Sequence, residues 1–394
     1  KDVGFYKFQK EYITYEADTA HHSTNVNIKM KVAAFRETLQ DVSTLHKQYR
    51  FGNIHFVSDA GLRLDDNELA SCDTIEMENY SLLYKNQLFM RPTTLANNTY
   101  ILPGELYSQS RVDRTYNSFS QLGALRYTTL RMRENKDDNS LLDCYILFER
   151  RKRHSVTFEV EGTNTAGDLG AACSMTFSDR NMFKGSEVLS LRLFGAYEAI
   201  SGLSGYIKDS YFEYGAELGL RIPGGIISTM VPAEKRLLKS VTQFSLQFNS
   251  QERPEFERQI LSASWSYLWS KKQSTQHKLD ILDASYIYVP WISETFKREY
   301  LDSISNRNSI LKYNYENLLI TKLGYSFSYN SSLGKSGFQP TVFSIRTNIE
   351  CSGNVLTGLN SLLSANKNSD GQYTFLNIAY AQYVKGDIDL TTRM

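Results

Sequence analysis

Residues 154–194 read HSVTFEVEGTNTAGDLGAACSMTFSDRNMFKGSEVLSLRLF. Val156, Phe158 and Val160 alternate with Ser155, Thr157, Glu159 and Glu161. A polar stretch, GTNTAGD, separates this run from a second one at 169–177. The connection SDRNMFKGSE follows, and then a third run in which Leu189, Leu191 and Leu193 oppose Ser190 and Arg192. Successive side chains of a strand point to opposite faces, so a sustained period of two predicts strands with one apolar and one polar side. Before this stretch the chain reads as small mixed domains; after it, as strand upon strand.

The downstream runs keep the same rhythm. Phe212, Tyr214, Ala216, Leu218 and Leu220 alternate with Glu213, Gly215, Glu217, Gly219 and Arg221. Phe244, Leu246 and Phe248 alternate with glutamine and serine, and Leu261, Ala263, Trp265, Tyr267 and Trp269 alternate with Ser262, Ser264 and Ser266. Leu323, Tyr325, Phe327 and Tyr329 form a further run, and Phe343, Ile345 and Ile349 another. Strands near 279–289 and 373–384 change phase midway, the mark of a bulge. The expectation is an antiparallel sheet of about ten strands, each near the ~9–11 residues that cross a bilayer.

Composition narrows the class. The 44 Lys and Arg balance 43 Asp and Glu, which gives no electrostatic reason for a nucleic-acid partner. Tyr and Phe number 26 and 21, residues favoured by strands and by the aromatic girdles of membrane barrels. A mean hydropathy of −0.40 and the lack of a long apolar run argue against a helical membrane protein but not against a barrel, whose strands present one polar face. A soluble β-sandwich, such as an adhesin, is the competing architecture. It would have to turn Glu217, Arg221, Arg346 and Glu350 outward and bury Trp265, Tyr267 and Trp269. Long connections at 195–211, 290–317 and 351–371 against a short one at 178–187 favour a barrel, although 223–240 and 162–168 break the pattern.

Upstream, residues 26–32 alternate as a hairpin strand, following a turn that carries His21 and His22. Residues 35–47 suit a short helix or linker. A strand is expected at 49–57, with Phe51, Ile54 and Phe56 supplying apolar bulk, and then an acidic solvated loop at 59–78 that lacks calcium-loop spacing. Tyr107, Val112, Tyr116, Phe119 and Leu122 mark one face of a helix, capped by Ser108 or Ser110 and stopped by Gly123. Strands at 125–132 and 141–149 follow, completing an α+β domain. Arg150, Arg151, Lys152 and Arg153 then form a basic run, either a solvated linker or a contact with anionic head groups. Cys72, Cys144, Cys173 and Cys351 share no metal-ligand spacing; they read as free thiols, with a Cys72–Cys144 bridge open in an oxidising compartment.

The TNTAGDLG segment and the Arg180, Asn181, Phe183, Gly185 and Glu187 pattern resemble the start of the membrane barrel in the BamA/TamA family of outer-membrane assembly factors. PGELYS at 103–108, the helix with Arg111, Thr115, Tyr116, Phe119, Leu122 and Gly123, and the two closing strands resemble a POTRA domain. The resemblance implies α+β POTRA modules followed by an antiparallel transmembrane β-barrel of about sixteen strands, of which about ten are present. It divides the chain into 1–47 (end of a POTRA domain and linker), 48–153 (POTRA domain) and 154–394 (first part of the barrel). It implies a bacterial outer-membrane location with periplasmic N-terminal domains, and as partners the lipid bilayer, unfolded outer-membrane protein clients, and accessory lipoproteins or a periplasmic partner. The weakly paired strand edge that receives clients would be His154, Ser155, Val156, Thr157, Phe158, Glu159, Val160 and Glu161. The strand at 125–132 would take part in client delivery. The chain starts at Lys1 and stops among strands, so it is expected to be a piece of a longer protein. The family's late Arg-Gly motif falls outside it.

No nucleophile elbow, zinc-helix motif, phosphate loop or dinucleotide fingerprint occurs, and no cofactor is implied, so a non-enzymatic role is expected. Within that role an assembly factor competes with a dedicated two-partner-type secretion pore exporting one substrate.

Overall fold

The computed structural model describes residues 1–18, 27–34, 46–58, 69–85, 87–165, 168–200, 206, 209–224, 239–270, 274–301, 315–333, 341–354, 356–358, 373–375 and 378–393. The chain divides into two compact units, Lys1–Arg151 and Lys152–Met394.

In the first unit, β1 (Ile13–Asp18) and β2 (Asn27–Val32) form an antiparallel hairpin. The remaining strands are β3 (Arg50–Ser58), β4 (Asp73–Glu76), β5 (Ser81–Tyr84), β6 (Leu125–Glu134) and β7 (Leu141–Arg150), in a sheet ordered β4-β5-β3-β7-β6. β3 runs parallel to both neighbours, β5 and β7. Phe51, Ile54 and Phe56 are all buried although 51 and 54 differ in parity. A bulge between them against β7 brings both to the core side. The acidic loop expected at 59–78 is corrected in part: Asp73–Glu76 is a strand, paired antiparallel with β5. Residues 59–68, like His21, His22 and most of 35–47, lie outside the described residues.

The helix Gln109–Phe119 is capped by Ser108, whose hydroxyl accepts from the Arg111 amide. Its buried positions are Thr115, Ser118 and Phe119, while Tyr116 is exposed, one correction to the expected face. The first residues of the chain join this core. Asp2 accepts from the Ser110 amide (2.7 Å) and from the Ser108 and Ser110 hydroxyls. The Gly4 amide donates to Tyr107 O, and the Tyr6 ring meets Tyr107 and Tyr49 edge-on. Cys144 is fully buried among Ile54, Leu142 and Ile146, and burial pushes its thiol well above the ordinary range. All four cysteines are free thiols, so no Cys72–Cys144 bridge forms.

The second unit contains one ten-stranded antiparallel sheet: β8 (His154–Thr165), β9 (Asp168–Asp179), β10 (Val188–Ala199), β11 (Ser210–Pro223), β12 (Lys239–Glu252), β13 (Phe256–Ser270), β14 (Thr275–Ile292), β15 (Leu318–Asn330), β16 (Val342–Ser352), and then, beyond the small pair β17 (Thr374–Phe375) and β18 (Ile378–Ala379), β19 (Tyr383–Arg393). Neighbours in sequence are neighbours in the sheet, from β8 at one edge to β19 at the other. The number of strands agrees with the sequence pattern. The tenth is displaced: it runs Tyr383–Arg393, while 373–381 holds β17, β18 and a bridge from Tyr380 to Leu319.

The phase change in β14 has a local cause. Trp265 pairs with Leu282 but Ser266 with Asp280, leaving Ile281 as the extra residue of a bulge. Leu279 and Leu282 thereby share the apolar face, and Asp280 and Asp283 the polar one. The connections do not sort the two ends by length. The long segments that join β14 to β15 and β16 to β19 follow the same strand ends as the short connections from β8 to β9 and from β12 to β13.

Candidate functional site: an apolar sheet face and an open strand edge

Register places the alternation of every strand on common faces. Leu191, Leu218 and Leu246 lie side by side on β10, β11 and β12, and the row continues through Ala263 and Ala284 on β13 and β14. The opposite face carries a polar ladder. Ser245 and Ser264 share a hydrogen bond (2.7 Å), Ser262 and Ser285 another (3.0 Å), and Ser266 donates to Asp280 (2.6 Å). Lys322 pairs with Asp283 (2.9 Å), and Glu213 accepts from Tyr211, Asn249 and Gln251. Several polar groups are thus paired with one another along one side of the sheet.

Among the described residues the apolar side is uncovered. Leu191, Leu218 and Leu246 are 37%, 41% and 48% exposed, and Val156, Phe158 and Val160 on the edge strand 53%, 73% and 82%. Among the described residues of this unit only Phe256, Phe296 and Tyr380 are buried hydrophobics, and all three sit at strand ends or in connections. A sandwich would place a second sheet ~10 Å over this face. Among the described residues no such sheet exists: β17 and β18 are two residues each. The described residues therefore give the sandwich alternative no second layer. An apolar face spanning ten strands is larger than the few hundred Å² that soluble monomers leave in water, and it is compatible with an apolar environment.

The residues expected to form a client edge, His154, Ser155, Val156, Thr157, Phe158, Glu159, Val160 and Glu161, all lie in β8, which among the described residues pairs with β9 alone. Backbone parity follows from one hydrogen bond. The Arg180 amide donates to Arg153 O (3.0 Å), just before the 154↔179 pair, so Arg153 and odd-numbered residues after it bond to β9. The amides and carbonyls of His154, Val156, Phe158 and Val160 then point away from the sheet. These are the same residues whose side chains lie on the apolar face. On β19 the Gly353 amide to Thr321 O fixes the matching parity, and Val384, Gly386, Ile388 and Leu390 face outward.

The basic run is not one uniform cationic patch. Arg153 donates to both carboxylate oxygens of Asp179, at 3.0 Å from Nε to each and 2.8 Å from Nη2. Lys152 O accepts from Arg180, the Arg151 amide donates to Ala124 O, and the Arg150 guanidinium lies over the Phe89 ring at 5.7 Å. Sequence reading missed the turn to which Arg153 is tied. Asp179, Asn181, Ser186 and Glu187 are all buried there. Glu187 accepts from the Phe183 and Gly185 amides, Asn181 from the Ser186 amide, and Asp179 from the Asn181 amide. Lys184 and Ser186 adopt positive φ, 59° and 63°, within this scaffold. Asp, Asn and Glu spaced through SDRNMFKGSE were the available signal, because short polar side chains there can hold turn amides.

No protein-family model and no curated protein matches the chain. Among solved structures it is similar to BamA from Haemophilus ducreyi lacking POTRA domains 1–3, with 14% identity and a TM-score of 0.42 over 86% of this chain and 53% of that one. It is also similar to CdiB from Escherichia coli (10% identity, TM-score 0.32, 81% and 70% covered) and CdiB from Acinetobacter baumannii (10%, 0.27, 92% and 94%). The chain spans about half the length of that BamA structure. At these identities and TM-scores the likenesses bear on neither activity nor partners. By its own geometry the second unit carries, among the described residues, a ten-stranded antiparallel sheet that is apolar on one face and polar on the other.

Proposed function

We propose that the ten-stranded sheet is part of the wall of a transmembrane β-barrel in a bacterial outer membrane, and that the protein assembles or translocates other outer-membrane proteins. The observation that carries this reading is the coincidence, on β8, of an uncovered apolar face with a row of unpaired backbone groups. In hydrocarbon each unpaired amide or carbonyl costs several kcal/mol, so an edge at His154, Val156, Phe158 and Val160 gains by accepting a strand. An unfolded client offers such a strand with matching groups and its own apolar face. In this reading the first unit is a periplasmic POTRA module that receives clients, β6 supplies a further edge for them, and accessory lipoproteins assist. The basic run sits at head-group level, with Arg153 committed to Asp179.

Depletion of the full-length protein in its host, followed by quantification of the outer-membrane proteome, tests this. Loss of many unrelated barrels is the expected result. Loss of one exported protein, with other barrels intact, would replace assembly by a dedicated secretion pore. An unchanged proteome would refute both.

A further inference from the structure

The root of the β8 edge is tied down by a cluster of side chains. There Arg153 grips Asp179 through Nε and Nη2, the Arg180 amide bonds Arg153 O, and the Arg180 guanidinium reaches Lys152 O (3.4 Å). His154 adds its ring to Phe177 (centroids 5.8 Å apart) and its Nε2 lies 3.4 Å from Asp179. Asp179 belongs in turn to the buried turn of Asn181, Ser186 and Glu187, where every carboxylate or carboxamide holds a turn amide. Higher on β8 one side-chain tie runs from Ser174 to Glu159, an exposed bond of 3.1 Å. Exposure of the apolar side chains rises from Val156 through Phe158 to Val160.

We infer that Arg153, acting through Asp179, is the positioning residue that sets the register of the β8 edge, so that a partner strand meets one set of outward amides rather than several. This rests on the proposed role of β8 as an acceptor edge. A two-residue slip of β8 against β9 keeps every side chain on its own face, so the hydrophobic pattern cannot forbid it. A side-chain lock at one defined pair can. The Arg153–Asp179 pair is that lock, because its carboxylate cannot move: it is also the acceptor for the Asn181 amide in a buried turn.

The native Cys173 provides a reporter. It is exposed, lies opposite Val160, and by parity occupies a non-hydrogen-bonded pair, whose ~4.5 Å Cα separation suits a disulfide. Single cysteines are placed at Phe158, Val160 or Gly162 in the full chain carrying Cys72→Ser and Cys351→Ser, and disulfide yield with Cys173 is measured in the host membrane. Gly162 has open space where a Cβ would stand, so this probe is sterically tolerated. The expected parent result is cross-linking from Val160→Cys alone. Adding Arg153→Ala raises the relative yield at 158 or 162 by about tenfold, the scale of losing one charge-assisted hydrogen-bonded pair. Arg153→Lys, which keeps a cation for Asp179, leaves the 160–173 product dominant. Asp179→Asn keeps an oxygen for the Asn181 amide and removes only the charge; it gives the same spread as Arg153→Ala and decides the matter if Arg153→Ala does not accumulate.

Unaltered 160–173 specificity in both variants overturns the inference, as does failure of both to accumulate, which would assign the pair to folding alone. Client capture is read separately, from a photo-reactive residue at Phe158 in the otherwise native chain. If clients never cross-link there, the acceptor reading fails while the register result stands by itself.

Discussion

Replacing Leu218 with arginine separates a membrane wall from a soluble sheet. Leu218 stands between Leu191 and Leu246 in an apolar row on β11 that runs from Phe212 to Ile222. At ~3.4 Å per residue and a strand tilt near 40°, it lies roughly 15 Å from the Phe212 level and roughly 10 Å from the Ile222 level along the membrane normal. That is close to the middle of a ~25 Å apolar band, where an arginine facing lipid costs about 2–4 kcal/mol. The folding equilibrium should therefore fall by about 30- to 700-fold. Gln247→Arg is the control: it lies on the polar face, is exposed, and has Glu217 as its cross-strand neighbour. It should change stability by no more than about 0.5 kcal/mol. The assay is guanidinium unfolding of the full chain in phospholipid vesicles, followed by tryptophan fluorescence. Equal, small effects of both substitutions would refute the assignment of this face to lipid, since an already exposed leucine in water tolerates arginine at little cost.

Thiol labelling should distinguish the cysteines: Cys173, exposed on the apolar face, reacts with a membrane-permeant maleimide and poorly with a charged one, while Cys144 reacts only after unfolding. Gly353 holds φ 69° with the Ala381 carbonyl crowding the place where a Cβ would stand, so Gly353→Val should cost about 1–3 kcal/mol, read as a lower midpoint of denaturant unfolding. Burial pushes the His55 imidazole below its ordinary value, with Asp143 and Glu76 opposing, so the fold favours the neutral ring. Stability of the first unit should then be intact above pH ~6.5 and fall as pH drops toward the lower folded value. His55→Gln should flatten that dependence in thermal scans between pH 7.5 and 5.5.

The sheet was legible in the sequence because its signal is redundant. Each strand repeats the same two-sided alternation, and register is forced where leucines and aromatics must share one face. Where the alternation broke, at 279–289, the chain was announcing the Ile281 bulge. The tenth strand was misplaced because Tyr373, Phe375 and Tyr380 offer strand-like residues that are spent on a short pair and on a bridge to Leu319. β4 and β5 were hidden for another reason: four-residue strands carry too little pattern to stand out, and acidic residues in Asp73–Glu76 mimic a loop. At the site, the edge residues were readable as a strand, but their outward amides depend on backbone parity, which side-chain pattern does not encode. The Arg153–Asp179 pair was invisible because it joins residues across a hairpin, and the sequence around Arg153 advertises only positive charge.

The most direct test is photo-cross-linking along β8 during client assembly. A photo-reactive residue is placed in turn at His154, Val156, Phe158 and Val160, with Ser245 and Ser264 on the polar face as controls. Adducts with several unrelated barrel proteins from the β8 positions, appearing during their insertion and lost on its completion, are predicted. Adducts equally strong from Ser245 and Ser264, or none from β8 while barrels assemble normally, would contradict an acceptor edge on this strand.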